Sequence, residues 1–165
     1  MKKIAPVIEA MSQYYHGEPK RINHFLKVYV FAKTIGEQEG LDEVSQEILE
    51  VAAVTHDIGI KNSEIKYGSG MGTYQQIEGP PEAEAMLTEL GYDTALIERV
   101  CWLIAHHHTY KDVETMDHQI LLEADYLVNS FEQSDSPEAI GNFAAKVFRT
   151  VSGRRLLTAL FPEIE

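Results

Sequence analysis

Apolar residues recur at helical intervals along nearly the whole chain, and they mark out a succession of helices. Ile4, Val7, Ile8, Met11 and Tyr15 share one face of a helix over 4–15. His16-Gly17 closes it, with the glycine as C-cap. Pro19 suits the opening turn of a second helix, whose apolar set of Ile22, Phe25, Leu26, Val28, Tyr29, Phe31, Ala32 and Ile35 runs to Glu39. Asp42 is the N-cap of a third, over 43–58. Its apolar residues crowd into 48–54 almost without interruption, which predicts a central helix packed on several sides.

The pattern then changes. Residues 61–79 hold Gly68, Gly70, Gly72 and Gly79 and few aliphatics, and they read as one long loop, a length that is usually functional. Pro80-Pro81 starts the next helix, which Leu90-Gly91 ends. Asp93 or Thr94 caps another, with Leu96, Ile97, Val100, Cys101, Leu103 and Ile104 as its apolar face. Residues 112–117 are a polar connection. Ile120, Leu121, Leu122, Ala124, Leu127, Val128 and Phe131 form a further helix, and two short ones around 143–151 and 156–161 finish the chain. No β-alternation or repeat intervenes. The expected fold class is all-α, a single-domain helical bundle over 1–165, with a core at about 21–131 and C-terminal helices from 136–165 packed on it.

Composition narrows the partners. The 165 residues carry 26 Asp plus Glu against 14 Lys plus Arg, a formal charge of -12. That disfavours a nucleic acid polymer or an anionic membrane as partner, while leaving room for a small anionic substrate beside a bound metal. Cys101 is the one cysteine, so no internal disulfide forms; it reads as core, and the protein as cytoplasmic. No apolar run reaches membrane-spanning length, and Met1-Lys2-Lys3 leads into no secretory-type stretch.

The candidate chemistry lies in polar residues on these apolar helices. His24 sits among Ile22, Phe25 and Leu26. His56-Asp57 ends the most apolar run, and Asp125 lies within Leu121-Leu122-Glu123-Ala124-Asp125-Tyr126-Leu127. Buried carboxylates need a cationic or metal partner. Imidazoles and carboxylates from three helices suit one divalent Mn, Fe, Co, Ni or Zn ion, or else a metal-free His–Asp network. Of His106, His107 and His108, one points to the site, one orients it and one is solvated. His16 and His118 read as surface, Asp117 as a helix cap and Glu123 as surface.

The ordered set His24, His56-Asp57, His107, Asp125 resembles the HD superfamily of metal-dependent phosphohydrolases. The local contexts Arg21-Ile22-Asn23-His24-Phe25-Leu26, Ala52-Ala53-Val54-Thr55-His56-Asp57-Ile58-Gly59 and Ile120-Leu121-Leu122-Glu123-Ala124-Asp125 resemble its motifs. The resemblance implies an HD-type bundle with His24, His56, Asp57 and Asp125 as ligands of a first metal. In dinuclear relatives Asp57 would bridge to a second metal held by two further histidines. One of these matches His107, and Glu78 stands where the other is expected. Glu78 is therefore a candidate ligand, a base for a metal-bound water, or a helix cap.

The resemblance further implies hydrolysis of a nucleotide or other small phosphorylated metabolite. The metal would polarise a phosphoryl oxygen and lower the pKa of bound water from about 15.7 toward neutrality. Asp57, with His107 or Glu78, would carry the proton chemistry, and Lys66, Tyr74 and Gln75 of the 61–79 stretch would contact substrate. A dinuclear-iron oxygenase and a non-catalytic nucleotide- or metal-responsive module are the alternatives. The apolar C-terminal positions Phe143, Val147, Leu156, Leu157, Leu160 and Phe161 cover the bundle or support a homodimer.

Overall fold

The computed structural model describes residues 3–164, so Met1, Lys2 and Glu165 of the 1–165 reading lie outside the described residues. The described chain is helical, with no strand among the described residues. Helix α1 (Ala5–Tyr14) leads through a turn to α2 (Pro19–Glu39), which opens on a proline and ends on left-handed Gly40 (φ 75°), as the punctuation predicts. Helix α3 (Glu43–Thr55) starts at Asp42, whose carboxylate accepts from the backbone N–H groups of Val44 and Ser45 at 3.0 Å.

Helix α3 occupies the centre. Leu49 and residues 51–55 are completely buried, and α1, α2, α6 (Thr94–His106) and α7 (Met116–Glu132) all pack against it. Its side chains are small at Ala52 and Ala53, which lets neighbouring helices close in from several directions. The helix stops three residues before the predicted end. His56 is its C-cap, and residues 56–59 form a turn closed by Ile58 N–H to Thr55 O and Ile60 N–H to Asp57 O bonds.

The stretch read as a long loop is instead mostly helical. Helix α4 (Ile60–Tyr67) follows the turn directly, ends on left-handed Gly68, and passes through a short link into α5 (Gly72–Glu89). Helix α4 buries only Ser63 fully, so it carries no apolar periodicity to read. Pro80 and Pro81 lie inside α5 rather than at its start. Each lacks an amide proton and leaves one intrahelical bond unmade. Packing of α5 along α6 and α4 carries the helix through that interruption.

Helix α7 is buried on every side from Asp117 to Asp125, with α2, α3 and α9 (Val151–Leu160) around it. This corrects the surface readings of His118 and Glu123; Asp117, read as a cap, is buried as well. Asp117 is held in a two-bond ion pair by Arg99, at 2.8 and 2.9 Å. His118 Nε2 lies 2.9 Å from the His106 carbonyl. Glu123 is fully buried and accepts from Gln119 Nε2 at 2.6 Å and Thr150 Oγ1 at 2.7 Å. Burial pushes the Glu123 carboxyl up despite these donors. Through Thr150, the N-cap of α9, Glu123 ties the C-terminal helices α8 (Pro137–Val147) and α9 to the bundle.

Candidate metal centre

Two histidines are set by the same local device. Each is the C-cap of a buried helix, His56 after α3 and His107 after α6. Each directs Nδ1 at a carbonyl of its own last turn, His56 to Ala53 O at 2.8 Å and His107 to Ile104 O at 2.7 Å. A carbonyl only accepts, so Nδ1 carries the proton and Nε2 is left with a lone pair. Both rings are fully buried, and their centroids stand 5.2 Å apart. The turn after α3 then projects Asp57 beside them. Tyr15, from the end of α1, donates its hydroxyl to the Asp57 carbonyl at 2.6 Å and pins that turn from below.

His24 on α2 and Asp125 on α7 complete the group. His24 Nε2 lies 3.2 Å from Asp57 Oδ2, from Asp125 Oδ1 and from His56 Nε2. His56 Nε2 lies 3.3 Å from both of those carboxylate oxygens. His24 Nδ1 faces Glu132 at 3.2 Å. The four residues predicted as metal ligands are therefore brought together from α2, the α3 end and α7. His24, His56 and Asp57 lie close enough together to share an ion, and Asp125 reaches both imidazoles.

This donor set fits a divalent cation. Metal–donor distances of about 2.0–2.2 Å place neighbouring ligand atoms roughly 3 Å apart, as found here. Two imidazole lone pairs facing each other at 3.2 Å, flanked by two carboxylates, are mutually repulsive without positive charge between them. Asp125 Oδ1 and His107 Nε2 are buried without a hydrogen-bond partner. In the protein alone, protons supply the charge. Burial opposes it, yet Asp125 and Asp57 hold His24 up to about 10 and His56 well above its usual range. Burial likewise opposes charge on Asp57 and Asp125, and the imidazoles bring both carboxyls well below the usual range.

A second group of potential ligands joins the first through Asp57, whose other oxygen, Oδ1, lies 3.4 Å from His107 Nε2. With His108 these residues form a triad close enough to share an ion. His108 lies against His107 with ring centroids 3.9 Å apart and the rings tilted at 45°, and burial with the neighbouring His107 lowers its pKa to about 4. His106 turns the other way and stacks on Trp102. The histidine triplet thus divides into two residues at the site and one away from it.

Glu78 is placed differently from a bare ligand. Both of its oxygens are engaged, by Lys66 Nζ at 2.8 Å and the Tyr67 hydroxyl at 3.0 Å, and Lys66 chiefly lowers its pKa. Lys66 is correspondingly paired, and Tyr74 stacks under Tyr67 at 4.1 Å. Gln75 is buried, donates to Gly70 O at 2.6 Å and meets His108 Nε2 at 3.4 Å. Of the predicted substrate contacts, Gln75 meets the centre through His108, while Lys66 and Tyr74 lie on α4 and α5 in the Glu78–Tyr67 cluster. Lys61, on α4 with Lys66, donates to Tyr14 O. Sequence reasoning missed Tyr15 and Glu132. Tyr15 is hidden in an apolar helical pattern, and Glu132 looks like any charge at a helix end. Its spacing of seven from Asp125 is the available signal.

A family model described as HD domain matches residues 21–130. Among solved structures, the crystal structure of a predicted HD superfamily hydrolase from an uncultured Thermotogales bacterium is similar at 20% identity, with a TM-score of 0.70. The alignment covers 96% of this chain and 85% of that one; at this identity the likeness is one of fold. No curated protein matches the chain.

Proposed function

The chain belongs to the HD domain family, and on that premise we propose that it is a metal-dependent phosphohydrolase acting on a nucleotide or another small phosphorylated metabolite. The observation that supports this most is the convergence of His24, His56, Asp57 and Asp125 donor atoms at 3.2–3.3 Å. A divalent Mn, Fe, Co, Ni or Zn ion held there supplies Lewis-acid polarisation of a phosphoryl oxygen and acidifies water. Asp57 is the most solvent-open of the four, with a fifth of its side chain exposed, so substrate arrives on its side. His107 and His108, beside it, are positioned to hold or pass a proton. Lys66, Tyr67, Tyr74 and Gln75 form the wall that a substrate meets, and Glu78 holds Lys66 and Tyr67 in place. The substrate class rests on the family, and the reading extends to a cytoplasmic protein.

Phosphate release from a panel of nucleotides and sugar phosphates, with each metal in turn, tests this. Outer-shell changes at metal sites cost about 10–100-fold, so Asp57→Ala is expected to lower metal-dependent release by at least about a hundredfold. Undiminished release in that variant overturns the mechanism.

One observation favours a second reading. Asp57 presents Oδ2 to one group and Oδ1 to His107, the disposition of a carboxylate shared by two ions. Two metals per chain on elemental analysis, with oxygen consumed in place of phosphate released, would select the dinuclear oxygenase.

A further inference from the structure

His24 differs from His56 and His107. His56 and His107 give their Nδ1 protons to carbonyls of their own helices. His24 instead faces a carboxylate, with Glu132 Oε1 and Oε2 at 3.2 and 3.3 Å from Nδ1. Glu132 is in turn bound by Lys27 Nζ at 2.9 Å, one turn beyond His24 on α2. On α7, Glu132 stands seven residues after Asp125, two turns along the same face. The His24 ring therefore spans two α7 carboxylates, Asp125 at Nε2 and Glu132 at Nδ1.

The placement of Glu132 has no stabilising explanation of its own. It is the last residue of α7, where the negative end of the helix dipole disfavours a carboxylate. Its pairing with Lys27 is open to water: the two side chains are 31% and 46% exposed, and they border a cleft of about 350 Å³ lined also by Pro19, Lys20 and Asn23. Such pairs add little stability. What Glu132 does reach is His24 Nδ1, the ring nitrogen opposite the one that meets Asp57, Asp125 and His56.

We infer that Glu132, steadied by Lys27, is a positioning residue that fixes His24 with Nδ1 protonated and Nε2 turned to the metal, and so sets how tightly the centre takes its cation. The inference rests on the metal-ligand reading of His24, and its test separates the two. Metal-free protein is titrated calorimetrically with Co(II), as wild type, Glu132→Ala, Glu132→Gln and Asp125→Ala, each checked for helical content by circular dichroism. Glu132→Ala is expected to weaken binding by about 10–100-fold. Glu132→Gln, whose amide oxygen still accepts from Nδ1–H, should recover most of that loss. On zinc-loaded protein, the His24 Nδ1–H resonance should survive in wild type and Glu132→Gln and be lost to solvent exchange in Glu132→Ala. Binding by Glu132→Ala within about twofold of wild type, with that resonance retained, overturns the inference while the Asp125→Ala loss leaves the metal reading standing. Wild-type affinity in folded Asp125→Ala removes the metal reading itself.

Discussion

At position 59 the side chain is a single hydrogen because two stretches of backbone meet there. A Cβ on Gly59 would lie 2.7 Å from both Gln75 O and Gly79 N, and one on Gly79 would lie 2.6 Å from Ile104 Cγ2. Backbone atoms cannot swing aside as side-chain ends do. Gly59 has φ -75°, so the constraint is space and not conformation. This contact seats the turn bearing Asp57 against α5, and it explains why glycine rather than a larger residue follows His56-Asp57-Ile58. Gly59→Ala is expected to lose about 1–3 kcal/mol by overpacking and to weaken metal binding by shifting Asp57. Gly141→Ala is the matched control. It lies in α8 with nothing within 4 Å of the added carbon, and alanine there should gain up to about 1 kcal/mol. Urea unfolding of the two variants checks both signs.

Helices α6 and α7 are joined by one ion pair whose pH dependence follows from its geometry. Burial works against charge on Asp117, and the hydrogen bonds from Arg99, followed by Thr115, overcome it, so its pKa is lowered. The Arg99 guanidinium also lies 4.4 Å over the Trp102 ring. A carboxyl lowered on folding stabilises the native state above its unfolded pKa of about 3.9, and that contribution is lost as pH falls through the folded value. Asp117→Asn should therefore cost about 1–2 kcal/mol near neutral pH, and its stability should converge with that of wild type as the solution is acidified through and below the lowered folded value. A constant difference in urea midpoints across that range would show that the ion pair contributes nothing.

The same scale shows what the sequence could reveal. Helices with one apolar face, such as α1, α2 and α6, are legible from periodicity, and their ends from Pro19, Asp42 and Asp93. Polar residues set into apolar runs, His24, His56, Asp57 and Asp125, announce themselves because burial would otherwise be costly. Helix α4 leaves no such trace, since it buries little apolar surface, and internal prolines disguise the continuity of α5. Helix α7 deceives in the opposite sense. A helix enclosed on all sides still carries Asp117, His118 and Glu123, and only the partners Arg99, the His106 carbonyl and Thr150, distant in sequence, make their burial tolerable.

Over the whole molecule, the centre is where elements that are far apart in sequence meet, and that makes a bound cation a test of the folded state. His24 comes from α2, His56 and Asp57 from the end of α3, and Asp125 from α7, so unfolding scatters the three segments that carry the donors. An ion that binds the native donors and not the scattered ones stabilises by mass action, by about 2.7 kcal/mol at a hundredfold excess over its Kd. For a chain of this size that corresponds to a rise in Tm of roughly 5–11 °C. The formal charge of -12 works in the same direction, since a divalent cation relieves self-repulsion among carboxylates. Thermal melts of chelator-treated protein with and without each of Mn, Fe, Co, Ni and Zn should show this rise for at least one metal, and Asp125→Ala should abolish it. If no metal moves the melt, the convergent donors are a protonated His–Asp network and the metal mechanism falls. If a metal and a nucleotide both raise Tm while no phosphate is released and no oxygen consumed, the chain is a binding module that keeps the centre without its chemistry.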